Sequence, residues 1–402
     1  MSGCRPISNC IACDGLSLKT VLDLGNQPPA NSFKSSQTQD ENFYPLLVNK
    51  CRECHHLQLS HMVNPDELFK HYLYVSGTSK TQLEYFYWFF KMVVSRIQKN
   101  TGRVLDIGCN DGSQLNCFKS TGFSTYGVDP ATNLHQMSSN RHTVVCDYFN
   151  NESVQFPFKF DAIICQNAFA HNYDQVGFLR KCRTMLEDGG LAFITISQAH
   201  MIRNNEFDTV YHEHYSYYCV NSMKTICERA ELHLVDVIEH PIHGGSYVFV
   251  ISKHNNPSET IQKMIESEES TGLYSEDTYT KYALRANEIA DEFKRTVEQF
   301  KNDGYTVAGY GSSAKGNTFL NFCDVRLDFI IDDNPLKQSL FTPGTSIPIY
   351  SIDFLENYEQ KPICYVPLAW NFFDEICKRL SEKTETKSKY LRYFPRVEIT
   401  ER

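Results

Sequence analysis

The sequence predicts an α/β chain of three lobes, on three observations. Two Cys-x-x-Cys pairs, Cys10/Cys13 and Cys51/Cys54, frame the first stretch. Short apolar strands and helices then alternate around a glycine-bearing turn, Gly108-Cys109-Asn110-Asp111-Gly112. A second strand, glycine-serine loop and helix start follow at Val307 to Thr318. These mark an N-terminal zinc-binding lobe at residues 1–70, a central Rossmann-like domain at 71–255 and a second Rossmann-like domain at 256–402.

The bulk properties narrow the function classes. A chain of 402 residues has length for two or three domains with sizeable cores. A formal charge of −9 argues against nucleic acid as the main partner, because phosphate binding needs basic surface. No apolar run approaches the ~20 residues of a membrane helix, and MSGCRPISNC has no apolar signal core. Neither a membrane nor a nucleic acid partner is therefore expected. The 15 cysteines are scattered through core-like segments (Cys165, Cys182, Cys227, Cys323, Cys364). In a chain this long that reads as reduced thiols and a cytoplasmic location. The sequence leaves the oligomeric state open, with a monomer as the simplest expectation.

In the first lobe the two Cys-x-x-Cys turns are separated by 37 residues. Each turn presents two sulfurs, and two such halves make a tetrahedral thiolate site. Zinc suits four thiolates and is redox-inert. Cys4, His55, His56 and His61 lie close by and offer an imidazole in place of one thiolate. A closed four-ligand site is structural rather than catalytic.

A polar linker, His71-Tyr72-Leu73-Tyr74-Val75-Ser76-Gly77-Thr78-Ser79, reads either as an interdomain turn with a helix cap or as a pocket edge. A helix over residues 82–100 follows, and its rings Phe86, Tyr87, Phe89 and Phe90 read as packing. Arg103 to Ile107 is a strand, the Gly108–Gly112 stretch a turn, and a second strand ends at Asp129. That is a βαβ unit whose glycines let a ligand approach the backbone and whose acid can take ribose hydroxyls. Asn110 stands where a dinucleotide loop has its middle glycine. Asp106, the later Asp147-Tyr148-Phe149, and Asn167 at the end of the strand 160–165 favour S-adenosylmethionine over NAD. His171 follows that strand at the ligand edge.

The run Tyr211-His212-Glu213-His214-Tyr215-Ser216-Tyr217-Tyr218 suits neither a core strand nor a surface helix. It reads as the wall of a polar pocket, where His and Glu move a proton and Tyr holds an oxygen. The alternative is a solvated loop with half-buried rings. His243-Gly244-Gly245-Ser246 is a tight turn between two strands, able to meet an anion or a sugar.

Residues 257–302 read mainly as long helix, broken near Gly272. The loop Gly309-Tyr310-Gly311-Ser312-Ser313-Ala314-Lys315-Gly316-Asn317 then opens a helix, where phosphate binds well and Lys315 adds charge. A nucleotide-diphosphate site is expected there.

These stretches together resemble the S-adenosylmethionine-dependent sugar C-methyltransferases, which include C-3 methyltransferases acting on TDP-4-keto-deoxyhexoses. The resemblance covers nearly the whole chain. It rests on the paired Cys-x-x-Cys motif with Gln27-Pro28-Pro29-Ala30-Asn31, the Gly108–Gly112 loop, and Phe207-Asp208-Thr209-Val210-Tyr211-His212-Glu213-His214. His243-Gly244-Gly245-Ser246, the Gly309–Asn317 loop, Asp333-Asn334-Pro335 and Ala369-Trp370-Asn371-Phe372 extend it.

The resemblance implies a class I methyltransferase domain at the centre and a nucleotide-diphosphate sugar between the last two lobes. It implies a base at His214 assisted by Tyr211 and Glu213, with His171 and a linker tyrosine, Tyr74 over Tyr72, near the sugar. The family usually follows His-Gly-Gly-Ser with Leu-Arg, where this chain has Tyr247-Val248. It often has a Glu near the strand end where this chain has Thr195-Ile196-Ser197. These departures leave the sugar and the methylated carbon open. Two other readings remain at this point: methyl transfer to oxygen or nitrogen, and a non-catalytic zinc-containing binding protein. The first gives the Tyr-His-Glu-His run no task, and the second need not keep His214 or the donor loop.

Overall fold

The computed structural model describes residues 3–69, 73–197, 201–358, 362–383 and 388–401. His71 and Tyr72 of the linker lie outside the described residues. The chain forms two compact units from interleaved segments. The first comprises residues 1–19, 49–200 and 213–275, and the second residues 20–48, 201–212 and 276–402.

The first unit carries, in chain order, β1 (Leu57–Leu59), α1 (Lys80–Ile97), β2 (Arg103–Ile107), α2 (Ser113–Lys119), β3 (Ser124–Val128), β4 (Thr143–Val145), β5 (Phe160–Gln166), α3 (Gln175–Met185), β6 (Leu186–Ser197), β7 (Ser216–Tyr217), α4 (Val220–Arg229), β8 (His233–His240), β9 (Ser246–Ser252) and α5 (Glu259–Ser270). Seven strands form one sheet in the order β8-β9-β6-β5-β2-β3-β4. Neighbours run parallel except at β9, which is antiparallel to β6 and β8. This is the expected class I methyltransferase sheet.

The inner strands read as continuous apolar runs because helices cover both faces. The period of two sorts them. Leu105, Ile107, Ile163, Cys165, Ile194 and Ile196 pack into one core, and Val104, Ala162, Ile164 and Phe193 into the other. On that second face α1 lays Tyr85, Phe86, Phe89, Phe90 and Val93. Burying each such ring stabilises the fold by roughly 2–3 kcal/mol. Tyr87 departs from the expected packing face and stands 54% exposed, since one residue along a helix turns about 100°. Ser79 caps the start of α1 by accepting from the Gln82 N–H. Gln98, left-handed at φ 53°, ends it before Asn100.

The second unit carries α6 (Glu276–Asn302), β10 (Thr306–Tyr310), α7 (Ala314–Cys323), β11 (Phe329–Ile331), β12 (Ile349–Tyr350), β13 (Ile363–Pro367), α8 (Phe373–Ser381), β14 (Lys389–Arg392) and β15 (Glu398–Glu401). Its sheet has the order β12-β11-β10-β13-β14-β15, parallel except for β15 at the edge. The β10–α7–β11 succession is the expected second Rossmann-like pattern. The helical stretch 257–302 forms as α5 and α6, broken where Gly272 takes φ 75°. That break precedes the passage of the chain from the first unit to the second. Among the described residues no helix is long and apolar enough to cross a membrane.

Candidate active site

The four paired cysteines converge. Their sulfurs lie within 4.8 Å of one another, with Cys10–Cys54 and Cys13–Cys51 each at 3.6 Å. Tetrahedral zinc with Zn–S bonds near 2.3 Å sets its sulfurs about 3.8 Å apart, so the set fits the ion. Backbone N–H groups of Gly15 and Glu53 point at the Cys13 and Cys51 sulfurs, both at 3.4 Å. The nearby histidines have other partners. His55 stacks on Tyr274, His56 bonds Ser216 and His61 bonds Ser60. Cys4 sits in a strand paired with Val63. The zinc set is therefore four thiolates, with no imidazole substituted.

The candidate donor loop follows β2. Gly108 has φ 77°, and a Cβ there would land on the Cβ of Ala168. Gly112 has φ 80°, and a Cβ there would meet the ring of His142 at 2.8 Å. Asp129 at the end of β3 accepts from the Asn110 N–H and the Ala131 N–H, both at 2.8 Å. Asn110 in turn fixes the linker. Its Oδ1 accepts from the Ser76 N–H and its Nδ2 donates to the Tyr74 carbonyl, both at 3.0 Å. Asp111 accepts from the Gly77 N–H and from Ser113 at the start of α2. Tyr74 itself is 44% exposed.

Burial raises Asp106 well above the usual carboxylate range, and Asp129 and Asp111 add to the rise. Burial raises Asp129 as well. Three carboxylates gathered at one turn suit a positively charged ligand such as a sulfonium.

The remaining donor candidates divide. Asn167, at φ 56°, sits just past β5 and donates its N–H to the Thr195 carbonyl at 2.7 Å. Asp147 accepts from Tyr148 N–H, Asn151 and Ser153 and so builds its own turn. Tyr148 donates to Asp66, and Phe149 is buried against Phe178.

His171 and His214 come together, with ring centroids 5.1 Å apart. His171 stacks on Phe69, and its enclosed Nε2 finds no hydrogen-bond partner among the described residues. Burial lowers it from the ordinary 6.5 to about 4, so it is neutral at physiological pH. The unfolded chain takes up this proton as pH falls through 6.5, and the folded chain only near 4. Stability is therefore lost across that window as pH falls. From about pH 7 to about pH 5 the loss from this group is on the order of 2 kcal/mol. Denaturant unfolding of the wild type and His171→Asn at both pH values checks it: the variant's acid loss should be smaller by that amount.

His214 and Glu213 are buried and belong to the first unit, whereas Tyr211 and His212 belong to the second. The two positions that depart from the family pattern are core rather than pocket. Tyr247 and Val248 are buried in β9 on opposite sheet faces, and buried Thr195 shares a hydrogen bond with Tyr85 at 3.1 Å. In the 243–246 turn, His243 has φ 57°. The Gly245 N–H and the Ser246 hydroxyl both donate to the Ile242 carbonyl, so these groups close the turn, with Gly244 at φ 88°.

In the second unit, Ser313 caps α7 by accepting from the Gly316 N–H at 3.0 Å. A Cβ at Gly316 would press on Leu368 at 2.7 Å. Tyr310 donates to Asp333 at 2.8 Å, and Asn317 Nδ2 donates to the Ala30 carbonyl at 2.8 Å. The Lys315 ammonium lies 4.8 Å from the Trp370 ring centroid.

Sequence reasoning missed three features here. Asp208 accepts from Trp370 Nε1 at 2.7 Å and is pushed up to about 6 by burial, against the pull of Lys315. Burial pushes Glu206 up to about 7. Lys337 bonds the Ser312 carbonyl and lies 3.9 Å from Asp332. Asp208 stood inside a quoted motif, which was the available signal; Lys337 had none.

Family profiles match three stretches: a zinc binding domain over residues 10–69, a methyltransferase domain over 83–237 and a C-methyltransferase C-terminal domain over 241–395. The C-methyltransferase NovU of Streptomyces niveus is 30% identical over 410 residues, covering 98% of this chain and 97% of its own. A ubiquinone biosynthesis O-methyltransferase of Actinobacillus pleuropneumoniae serotype 5b (strain L20) is 27% identical over 108 residues, 24% of this chain and 46% of its own. The crystal structure of an S-adenosylmethionine-dependent methyltransferase from Clostridium acetobutylicum shares 13% identity at a TM-score of 0.36, covering 44% of this chain and 92% of its own.

Sheet order and the matched methyltransferase domain define the class: an S-adenosylmethionine-dependent methyltransferase, carrying a structural zinc site. Within that class the chain belongs to the C-methyltransferase family. The acceptor is thus carbon, and the readings of transfer to oxygen or nitrogen and of a non-catalytic scaffold fall away.

Proposed function

We propose that the protein methylates the carbon beside the ketone of a nucleotide-linked, TDP-type 4-keto-deoxy sugar through an enolate. His214 is the base that takes the C–H proton, and the electron pair moves onto the ketone oxygen. The enolate carbon then attacks the donor methyl, the C–S bond breaks, and S-adenosylhomocysteine leaves as a neutral thioether. The bound donor supplies an electrophilic methyl on a sulfonium; the remaining work is done by this chain. Tyr211 and Glu213 assist the base, and His171 and Tyr74 line the sugar's place.

Asp106, Gly108, Asn110, Asp111, Gly112, Asp129 and Asn167 serve the donor, with Asp147, Tyr148 and Phe149 shaping its far edge. Tyr310 at the end of β10 and Lys315, Gly316 and Asn317 at the start of α7, with the turn His243 to Ser246, serve the nucleotide sugar. In this reading residues 1–70 carry the zinc, 71–255 the methyl donor and 256–402 the nucleotide.

The observation that carries the reading is the His171–His214 contact at 5.1 Å, at the carboxyl edge of the donor sheet, with His171 neutral. Transfer to oxygen needs no buried imidazole pair, whereas proton removal from carbon does need a placed base. The test is incubation with a TDP-4-keto-6-deoxy sugar in deuterated water, with and without S-adenosylmethionine, read by mass spectrometry. Deuterium entry without donor, and a gain of one CH₂ with it, are expected. Absence of both across several keto sugars would sink the enolate mechanism.

A further inference from the structure

We propose that the zinc knuckle has a task beyond holding its own lobe: it keeps His214 in register, through one strand pairing and the buried hydrogen bond between His56 and Ser216. The inference rests on the reading of His214 as the base.

The connection is short. The second Cys-x-x-Cys turn ends at Cys54, and the chain continues through His55 and His56 directly into β1. β1 pairs antiparallel with β7, with Ser216 opposite Gln58 and Tyr217 opposite Leu57. β7 begins two residues after His214. The Leu59 N–H donates to the Tyr215 carbonyl at 2.9 Å and extends the pairing to the residue next to His214. His56 Nε2 and Ser216 Oγ are 2.9 Å apart, and both residues are buried.

The first Cys-x-x-Cys turn is tied into the same strand. Gln58 accepts from the Ile11 N–H at 2.8 Å and donates to the Asn9 carbonyl at 3.0 Å. The far end of α4 clasps that turn as well, since Arg229 donates to the Ala12 carbonyl at 2.8 Å. The two metal turns therefore brace β1, and β1 braces the strand that follows His214.

Register is what such a pairing sets. A strand that slips by one residue turns every side chain to the opposite face. A two-residue strand such as β7 cannot hold register alone, so the His56–Ser216 bond acts as its pin. The opposite side is anchored separately: the Tyr215 N–H donates to the Ala170 carbonyl at 2.8 Å, beside His171. His214 is thus suspended between the His171 turn and the zinc knuckle. His56 and Ser216 are positioning residues, because they act on the base through the strand.

The test uses the full chain with zinc in place. Ser216→Ala removes the pin, and Ser216→Thr keeps the hydroxyl and suits a strand. Four quantities are read: zinc content, S-adenosylmethionine affinity by calorimetry, donor-free deuterium exchange into the keto sugar, and the His214 imidazole signal by NMR. His214→Asn assigns that signal. For Ser216→Ala we expect unchanged zinc and donor affinity, a shifted or broadened His214 signal, and exchange and methyl transfer slowed about tenfold to a hundredfold, the scale of an ångström's misplacement. Ser216→Thr should restore all of these.

A wild-type His214 signal and turnover in Ser216→Ala would overturn the proposal. So would a loss of zinc or donor affinity in step with turnover, which marks general loosening, or a Ser216→Thr variant that fails to recover. If the wild type itself exchanges no substrate proton, the base assignment fails, while the NMR signal still judges the connection to the knuckle.

Discussion

Replacing His214 with asparagine is expected to slow both donor-free deuterium exchange and methyl transfer by about 10²- to 10⁴-fold, with S-adenosylmethionine affinity unchanged. Asparagine keeps a polar group of similar reach but has no basic nitrogen. The large effect follows from burial. His214 is only 7% exposed, so bulk water is a poor substitute for it. Its ring neighbour His171 also stacks on Phe69, with both centroid distances at 5.1 Å. Calorimetry for the donor and mass spectrometry for exchange, on the same preparation, check the result. Exchange at the wild-type rate would move the base to another group.

Asp129→Ala is expected to do the reverse: donor affinity falls by about a hundredfold or more, while donor-free exchange continues. Two hydrogen bonds from a ribose diol to a carboxylate are each worth about 1.5–3 kcal/mol, and a hundredfold is about 2.7 kcal/mol. Asp129 also holds the Asn110 N–H, and Asn110 holds the linker at Tyr74 and Ser76, so the loss of its carboxylate loosens the loop as well. Calorimetric titration of the variant with donor, next to the exchange assay, reads both halves. Unchanged donor affinity would mean that Asp129 only builds the turn. Taken with His214→Asn, the pair separates proton removal from methyl supply, which a single loss of turnover cannot do.

Much of the architecture was legible because it is local. A Cys-x-x-Cys turn presents two sulfurs wherever it folds, and two such turns read as the halves of one tetrahedral site. Gly108 and Gly112 announce a loop that must take positive φ, and Asp129 follows at the strand end that such a loop requires. The alternation of strands and helices called for a sheet covered on both faces, and the apolar inner strands agree. The run around His214 stood out because its residue types suit neither core nor surface.

The misplaced or missed details share one cause. Tyr247, Val248 and Thr195 lie at the edge of the expected pocket in sequence, but the packed cores on the two sheet faces bury them, and Thr195 meets Tyr85 of α1 across 110 residues. Asp208 finds Trp370 across 162 residues, and Asn317 finds Ala30 across 287. Tyr87 turned outward because the helix shows its neighbours, rather than it, to the sheet.

What the sequence by itself determined is the set of local devices: thiolate turns, glycine loops, strand-end acids and the Tyr-His-Glu-His run. Each depends on backbone conformation or ligand chemistry within a few residues. What only the tertiary structure decided is partnership: which histidine lies beside His214, which buried acid meets Trp370, and which strand follows the zinc knuckle to Ser216. Those contacts join segments far apart in the chain, and they form only when apolar burial brings the segments together, so no local pattern of residues encodes them.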